Sequence, residues 1–202
     1  MGTRLLKNAL FTALLSLFCL LQTASVGFAH TGDSLSGGVL SGLIHPIFGW
    51  DHVVAMVAVG LWGAVLGRPA IWVLPIVFPL VMALGAALGI VGVYVPLIEA
   101  GIALSGVVLG LMIMFLIKAP MSIAAVLVGS FAIFHGHAHG TELPDAASPI
   151  AYAFGFVIAT GLLHLAGILF GTLMGNEVGK LAVRGGGGVI ACVGAAFLFG
   201  VA

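Results

Sequence analysis

Six long apolar stretches dominate the sequence beyond residue 38. They run at approximately 39–66, 71–91, 97–117, 120–139, 149–174 and 181–202. Each can supply the roughly 20 residues with which an α-helix crosses the hydrocarbon core of a bilayer. Charged residues make up only 6% of the chain, against about a quarter in soluble domains. The sequence therefore predicts an all-α integral membrane protein, a bundle of six transmembrane helices.

The first 29 residues have the pattern of a secretory signal peptide. Two basic residues precede a short apolar core at 9–21, and Gly-Phe-Ala at 27–29 presents small residues before a cleavage point. We expect cleavage there, which makes 1–29 a signal peptide and 30–202 the six-helix transmembrane domain. His30 becomes the mature N-terminus, outside the cell. The alternative is that this segment is retained as a further helix.

The distribution of charge favours one orientation in the membrane. With the mature N-terminus outside, six spans place the remaining basic residues in cytoplasmic loops or at cytoplasmic helix ends: Arg68, Lys118, Lys180 and Arg184. This is the positive-inside pattern of a multi-pass membrane protein whose mature N-terminus lies outside. The net charge is zero and no basic stretch occurs, which speaks against nucleic acid as a partner. The sequence has no Walker-type loop and indicates no ATPase subunit.

The first apolar stretch contains ionisable residues in "HPIFGWDH", residues 45–52. In one continuous helix, His45 and His52 would lie two turns apart on one face, with Asp51 beside them. An ionisable group inside a span costs several kcal/mol unless it is paired or faces a polar cavity. We interpret His45, Asp51 and His52 as metal ligands. The alternative is a His–Asp pair that only holds helices together.

A second cluster is "FHGHAHGTE", residues 134–142. If this segment is helical, His135 and His139 share a face at a common two-ligand spacing. If it is extended, His135, His137 and His139 lie on one side. Glu142 adds a carboxylate. The stretch before residue 134 is short for a span, so we expect its helix to continue through the histidines. The alternative is a solvated surface loop.

Three single residues complete the candidate metal ligands. Glu99 begins the third apolar stretch, His164 lies in the middle of the fifth, and His30 would offer a free amine beside its imidazole. Each has a plain structural alternative, such as an interfacial anchor for Glu99. Together with the two clusters they place ligands at graded depths. Imidazole and carboxylate suit Ni²⁺, Co²⁺, Cu²⁺ and Zn²⁺, and conduction needs sites that bind an ion and also release it.

Glycines recur at spacings typical of close helix packing. The pairs are Gly85/Gly89, Gly106/Gly110 and Gly167/Gly171, and such small residues let helices approach each other in a bilayer. A run of four glycines in "RGGGGV", residues 184–189, is instead expected to form a loop or a frayed helix start.

At its two histidine motifs the chain resembles the HupE/UreJ family of bacterial nickel/cobalt permeases. The resemblance rests on "HTG" after the signal segment, on "HPIFGWDH" leading to "MVAVGLWG", and on "FHGHAHGTE", and it extends over essentially the whole mature chain. It implies metal uptake across the cytoplasmic membrane. The residues that match the family's motifs are His45, Asp51, His52, His135, His137, His139 and Glu142.

The sequence thus predicts a secondary permease for Ni²⁺ or Co²⁺, with no enzymatic activity and no permanent cofactor. The alternative is a membrane metalloprotein that retains Cu²⁺ or Zn²⁺ for redox chemistry, sensing or intramembrane hydrolysis. Ligands spread over several depths favour the permease, because catalysis needs them focused on one point. The preferred metal, the number of metal sites and formation of a homo-oligomer are left open by the sequence.

Overall fold

A computed structural model of the chain describes residues 38–142 and 148–201. Within these ranges the chain forms seven α-helices, a short 3₁₀ turn and no strand: α1 Val39–Phe48, α2 Trp50–Leu66, α3 Ala70–Ile90, α4 Ile98–Met114, α5 Met121–Thr141, α6 Pro149–Gly171, the 3₁₀ turn Thr172–Gly175 and α7 Glu177–Leu198. The expected signal peptide and His30 lie outside the described residues, and both remain predictions.

The helices confirm the all-α prediction but not the count of six spans. Among the described residues, four helical segments are long and apolar enough to cross a membrane: α3, α5, α6 with its 3₁₀ turn, and α7. The pair α1 and α2 passes the same test only jointly, which brings the number to five. Helix α4 is apolar but has 17 residues, fewer than the roughly 20 of a typical span.

The first apolar stretch is broken at Gly49. This residue has an extended backbone (φ −86°, ψ 102°), and α1 and α2 meet there at an angle of 86°. Pro46 lies inside α1 and has no backbone N–H, which removes one hydrogen bond from the helix just before the break. The prediction that His45 and His52 share one face of a continuous helix is therefore wrong, because they belong to different helices.

Glycines hold three sets of helices at very short range. A Cβ added at any of them would meet main-chain atoms of the opposing helix. The sets are α3 with α5 (Gly85, Gly89, Gly136, Gly140), α4 with α7 (Gly106, Gly110, Gly187, Gly194), and α6 with α1 and α2 (Gly42, Gly60, Gly155, Gly167). The close packing predicted for all six paired glycines is confirmed; at Gly171 an added Cβ would meet the Cβ of Ala64 in α2 rather than main-chain atoms.

The glycine run at 185–188 is helical, so the expectation of a loop or frayed start is wrong. It lies in the middle of α7, where Gly187 faces the backbone of α4 at Gly110 and Met114. Tight packing against α4 offsets the low intrinsic helix propensity of glycine.

A buried apolar core runs through the bundle around Trp62 and Phe78, which are both fully buried. The outer surface is also apolar, with exposed side chains such as Trp72, Leu80 and Val126, as expected of a surface that faces lipid. One end of the bundle is formed where α3 and α5 finish and α4 and α6 begin. We call it the histidine end, because most of the candidate ligands lie there.

Candidate metal centre

The α5 helix positions two of its three histidines on one face. It continues to Thr141, as predicted, so His135 and His139 lie one turn apart with their side chains on the same side. His137 projects elsewhere, and its Nε2 donates a hydrogen bond of 2.6 Å to the carbonyl oxygen of Val93 in the α3–α4 connection. The extended alternative, in which all three histidines converge, is excluded.

Three side chains come together as a possible set of metal ligands at the histidine end. One ligand atom from each of His45, His139 and Glu142 lies within 4.8 Å of the other two, and no other such trio occurs in the ranges 38–142 and 148–201. His45 Nε2 and Glu142 Oε2 are 3.9 Å apart, and their side chains are 38% and 58% exposed. His139 is buried, so this trio extends from solvent into the bundle.

Two further histidines continue the trio inward. The ring of His52, at the start of α2, lies with its centroid 4.4 Å from that of His139 and 5.0 Å from that of His135. Both His52 and His135 are buried. We call His45, His52, His135, His139 and Glu142 the histidine group; it joins α1, α2 and α5.

A carboxylate orients His52. Asp51 Oδ1 lies 2.8 Å from His52 Nδ1, and because an ionised carboxylate only accepts hydrogen bonds, Nδ1 carries the proton. The lone pair of His52 is then on Nε2, which is buried and has no hydrogen-bond partner. Asp51 thereby orients an imidazole in its own helix, that of His52. This pair does not tie two helices together.

A serine orients His135 in the same manner. Ser105 Oγ, in α4, donates its hydrogen to the carbonyl of Ile102 at 2.6 Å and lies 3.0 Å from His135 Nε2. A hydroxyl has one hydrogen to donate, so it accepts from Nε2–H of His135. The lone pair of His135 is left on Nδ1, which is buried and without a partner. Sequence reasoning missed Ser105, although a hydroxyl in an apolar stretch is a usable signal.

Four buried ring nitrogens of the group lack hydrogen-bond partners. They are His52 Nε2, His135 Nδ1, and both Nδ1 and Nε2 of His139. Leaving a buried polar atom unpaired costs about 1–3 kcal/mol. A borderline divalent cation would offset this cost, since neutral imidazoles and a carboxylate are suitable ligands for Ni²⁺, Co²⁺, Cu²⁺ or Zn²⁺.

Acidic residues give the exposed part of the group a negative character. Partial burial raises the pKa of the Glu142 carboxyl, and the carboxylates of Glu99 and Asp51 act in the same direction, whereas His52 opposes them. Glu99 is exposed in the first turn of α4, so it lies near the group but outside the trio. A cation near Glu142 would be attracted by three carboxylates.

Aromatic rings that sequence reasoning also missed form the walls of the group. The centroid of Phe156 lies 4.3 Å from that of His139, and the centroid of Tyr152 lies 6.0 Å from that of His45. Phe78 contacts His135 on one side and His164 on another, at 5.6 Å in each case. Among the described residues, the His164 ring contacts Phe78 but no histidine ring of the group, so it is separate from the histidine group.

Comparison with known proteins agrees with the two motifs. A family model described as HupE / UreJ protein matches residues 17–197. The chain belongs to the HupE/UreJ family. It is similar to Protein HupE of Rhizobium leguminosarum bv. viciae, with 44% identity over 180 residues, which are 89% of this chain and 94% of that protein. No solved structure matches the chain.

Within this HupE/UreJ chain the predicted site residues fall into distinct places. Five gather in the histidine group, and Asp51 orients one of them. Glu99 lies nearby at the surface, His137 bonds to a connecting segment, and His164 lies deeper in the bundle. His30 is outside the described residues.

Proposed function

We propose that the protein is a secondary permease that takes up Ni²⁺ or Co²⁺ across the bacterial cytoplasmic membrane, with the histidine group as its metal-binding site. One observation supports this most directly. Ligand atoms of His45, His139 and Glu142 lie within 4.8 Å of one another, next to two buried imidazoles that each have one ring nitrogen without a partner.

The gradient of exposure across the group suits capture of an ion from water. Glu142 is the most exposed ligand and His45 is half-exposed, whereas His139 is buried and has neither ring nitrogen occupied. An ion bound by the trio would lose part of its water shell at His45 and Glu142. His139 then passes it towards His52 and His135, so that protein ligands replace water in steps.

The membrane potential supplies a driving force in the expected orientation. With the histidine end outside, an inside-negative potential favours entry of a cation by about 2.3 kcal/mol per charge per 100 mV. A doubly charged ion gains twice that amount. Direct coupling to ATP is not required.

Nickel uptake by purified protein in liposomes tests the proposal. With an imposed inside-negative potential, we expect accumulation of radioactive Ni²⁺ or Co²⁺ by the wild type. In the His139→Ala variant uptake should fall about 100-fold or more, because even an orienting partner of a metal ligand typically contributes 10- to 100-fold to metal affinity. Leu162→Ala, on the exposed face of α6, is the control and should transport normally. Full uptake by His139→Ala would refute the site.

A retained metal is the second candidate function. The buried imidazoles could hold Zn²⁺ with an open position for water, as catalytic zinc sites do. In that case the metal would co-purify in stoichiometric amount, exchange slowly, and show no flux in liposomes. Elemental analysis of the purified protein, followed by the same uptake assay, separates a retained metal from a transported one.

A further inference from the structure

His164 is a buried histidine that the histidine group does not use. It lies in α6 and is 1% exposed. It follows Phe156, which contacts His139, by eight residues. At the helical rise of 1.5 Å per residue, His164 is therefore about 12 Å further into the bundle. Close packing fixes it there, because a Cβ at Gly60 would collide with the carbonyl oxygen of His164.

Three buried polar atoms at this position have no hydrogen-bond partner. Neither ring nitrogen of His164 has a partner, and the same is true of Oγ1 of Thr160, which is fully buried. Thr160 precedes His164 by one helical turn, so both side chains lie on the same face of α6. At such depth two unpaired polar side chains are costly, which points to a ligand that is bound there during function.

The neighbouring helix α3 contributes a free carbonyl. Position 79 is a proline and cannot donate to the carbonyl of Pro75, which is left outside the helical ladder. The His164 ring lies close to this carbonyl, although neither ring nitrogen reaches it with hydrogen-bonding geometry. One imidazole nitrogen and two neutral oxygens are thus available at one level of the bundle.

Phe78 contacts both this level and the histidine group. Its ring is fully buried and contacts His135 and His164, with centroids 5.6 Å away in both cases and with an edge-on contact of 89° to His164. One fully buried aromatic ring thus connects a histidine of each level.

We infer that His164, Thr160 and the Pro75 carbonyl form a second station for the divalent cation, which receives it from the histidine group past the Phe78 ring. This inference rests on the proposed transport function and adds to it a separate inner site. The inner station contains no carboxylate, so it holds the ion more weakly than the group that includes Glu142. Weak binding lets the ion leave the inner station readily, and the inside-negative potential directs it towards the cytoplasm.

Uptake and binding measured on the same variants test the inner station. In His164→Ala we expect Ni²⁺ uptake into liposomes to fall at least tenfold, while calorimetry shows unchanged affinity at the histidine group. Thr160→Val, which keeps the shape of the side chain, should reduce uptake about threefold. Leu165→Ala, one residue away and exposed, is the matched control and should behave as wild type.

A cysteine at the same position provides an independent readout. In a Cys192→Ala background, His164→Cys places a thiolate on the path, and pretreatment with Cd²⁺ should block Ni²⁺ uptake after washing. The same treatment of Leu165→Cys should not.

Wild-type uptake by His164→Ala would overturn the inner station and leave the proposed function intact. The inner station would also be overturned if His164→Ala lost metal binding at the histidine group and Cd²⁺ did not block His164→Cys. His164 would then have a structural role only. Absence of uptake by the wild type would instead refute the proposed function itself.

Discussion

The two motif segments bring histidines together through opposite backbone conformations, one broken and one continuous. Residues 45–52 break at Gly49, so that His45 ends up on α1 and His52 on α2, with the helices at 86°. Residues 134–141 stay in one unbroken helix, and His135 and His139 converge because they are one turn apart. A broken helix can aim its two ligands independently, whereas a continuous helix fixes their relation by its own period.

This difference also determines what each segment depends on. The broken segment needs space around Gly49, where a Cβ would lie 3.1 Å from His52 Nδ1. The continuous segment needs close contact with a neighbouring helix, since a Cβ at Gly136 or Gly140 would collide with the carbonyl oxygens of Met82 or Ala86 on α3. We therefore expect the continuous segment to be sensitive to added volume at glycines that carry no ligand atom.

The largest effect is expected from Gly136→Ala, which breaks the packing of the continuous segment without touching a histidine. The new methyl group forces α5 away from α3, and overpacking of this kind typically costs 1–3 kcal/mol. The variant should melt at a lower temperature in detergent and bind Ni²⁺ weakly. Thermal unfolding and calorimetry check both.

The control for Gly136→Ala lies in the same helix. At Gly129 an added Cβ has its nearest neighbour 3.9 Å away, a side-chain carbon of Val81. Gly129→Ala should therefore be neutral or stabilise the helix by up to about 1 kcal/mol. Equal melting temperatures for the two variants would show that close α3–α5 contact is not what holds the second segment.

Much of this arrangement was accessible from the sequence. The positions of the apolar stretches, continuation of α5 through its histidines and close packing at Gly85, Gly89, Gly106 and Gly110 follow from span length and residue size, and the structure confirms them. These features depend on local pattern alone. The apolar part before residue 134 is short for a membrane span, and this was sufficient to predict that the helix continues into "FHGHAHG".

The remaining features depend on tertiary contacts that no local pattern contains. The helical glycine run in α7 is set by packing against another helix, as the contact of Gly187 with α4 shows. Helical spacing separates His137 from His135 and His139, but no local pattern indicates its partner Val93, which is 44 residues away. The same holds for Ser105 and His135, which are 30 residues apart.

A smaller effect is expected from Ser105→Ala, which sharpens the contrast in how the two segments orient their imidazoles. His52 is oriented by the adjacent Asp51, whereas His135 relies on Ser105 in another helix. Without the hydroxyl, Nε2 of His135 loses its acceptor and the ring can present the wrong nitrogen. Affinity for Ni²⁺ should fall about tenfold, the lower end of the range for orienting partners.

Calorimetry on Ser105→Ala is interpreted against Ser130→Ala. Ser130 donates to the carbonyl of Val126 within α5 and is exposed to the surroundings, so its loss should leave affinity unchanged. Both variants should melt within a few degrees of the wild type. If Ser130→Ala weakens binding as much as Ser105→Ala, the hydrogen bond to His135 is not the cause.

The smallest effect is expected from His137→Gln, which distinguishes the three histidines of the continuous segment. The side-chain amide of glutamine can still donate to the Val93 carbonyl, so the connection between α3 and α4 remains attached to α5. Nickel affinity and uptake should then stay within about twofold of the wild type. In His135→Gln the amide replaces a ring nitrogen that faces the histidine group, and uptake should fall at least tenfold. Equal losses of uptake in both variants would mean that His137 leaves Val93 and turns towards the metal. Helical spacing on α5 would then no longer separate His137 from His135 and His139.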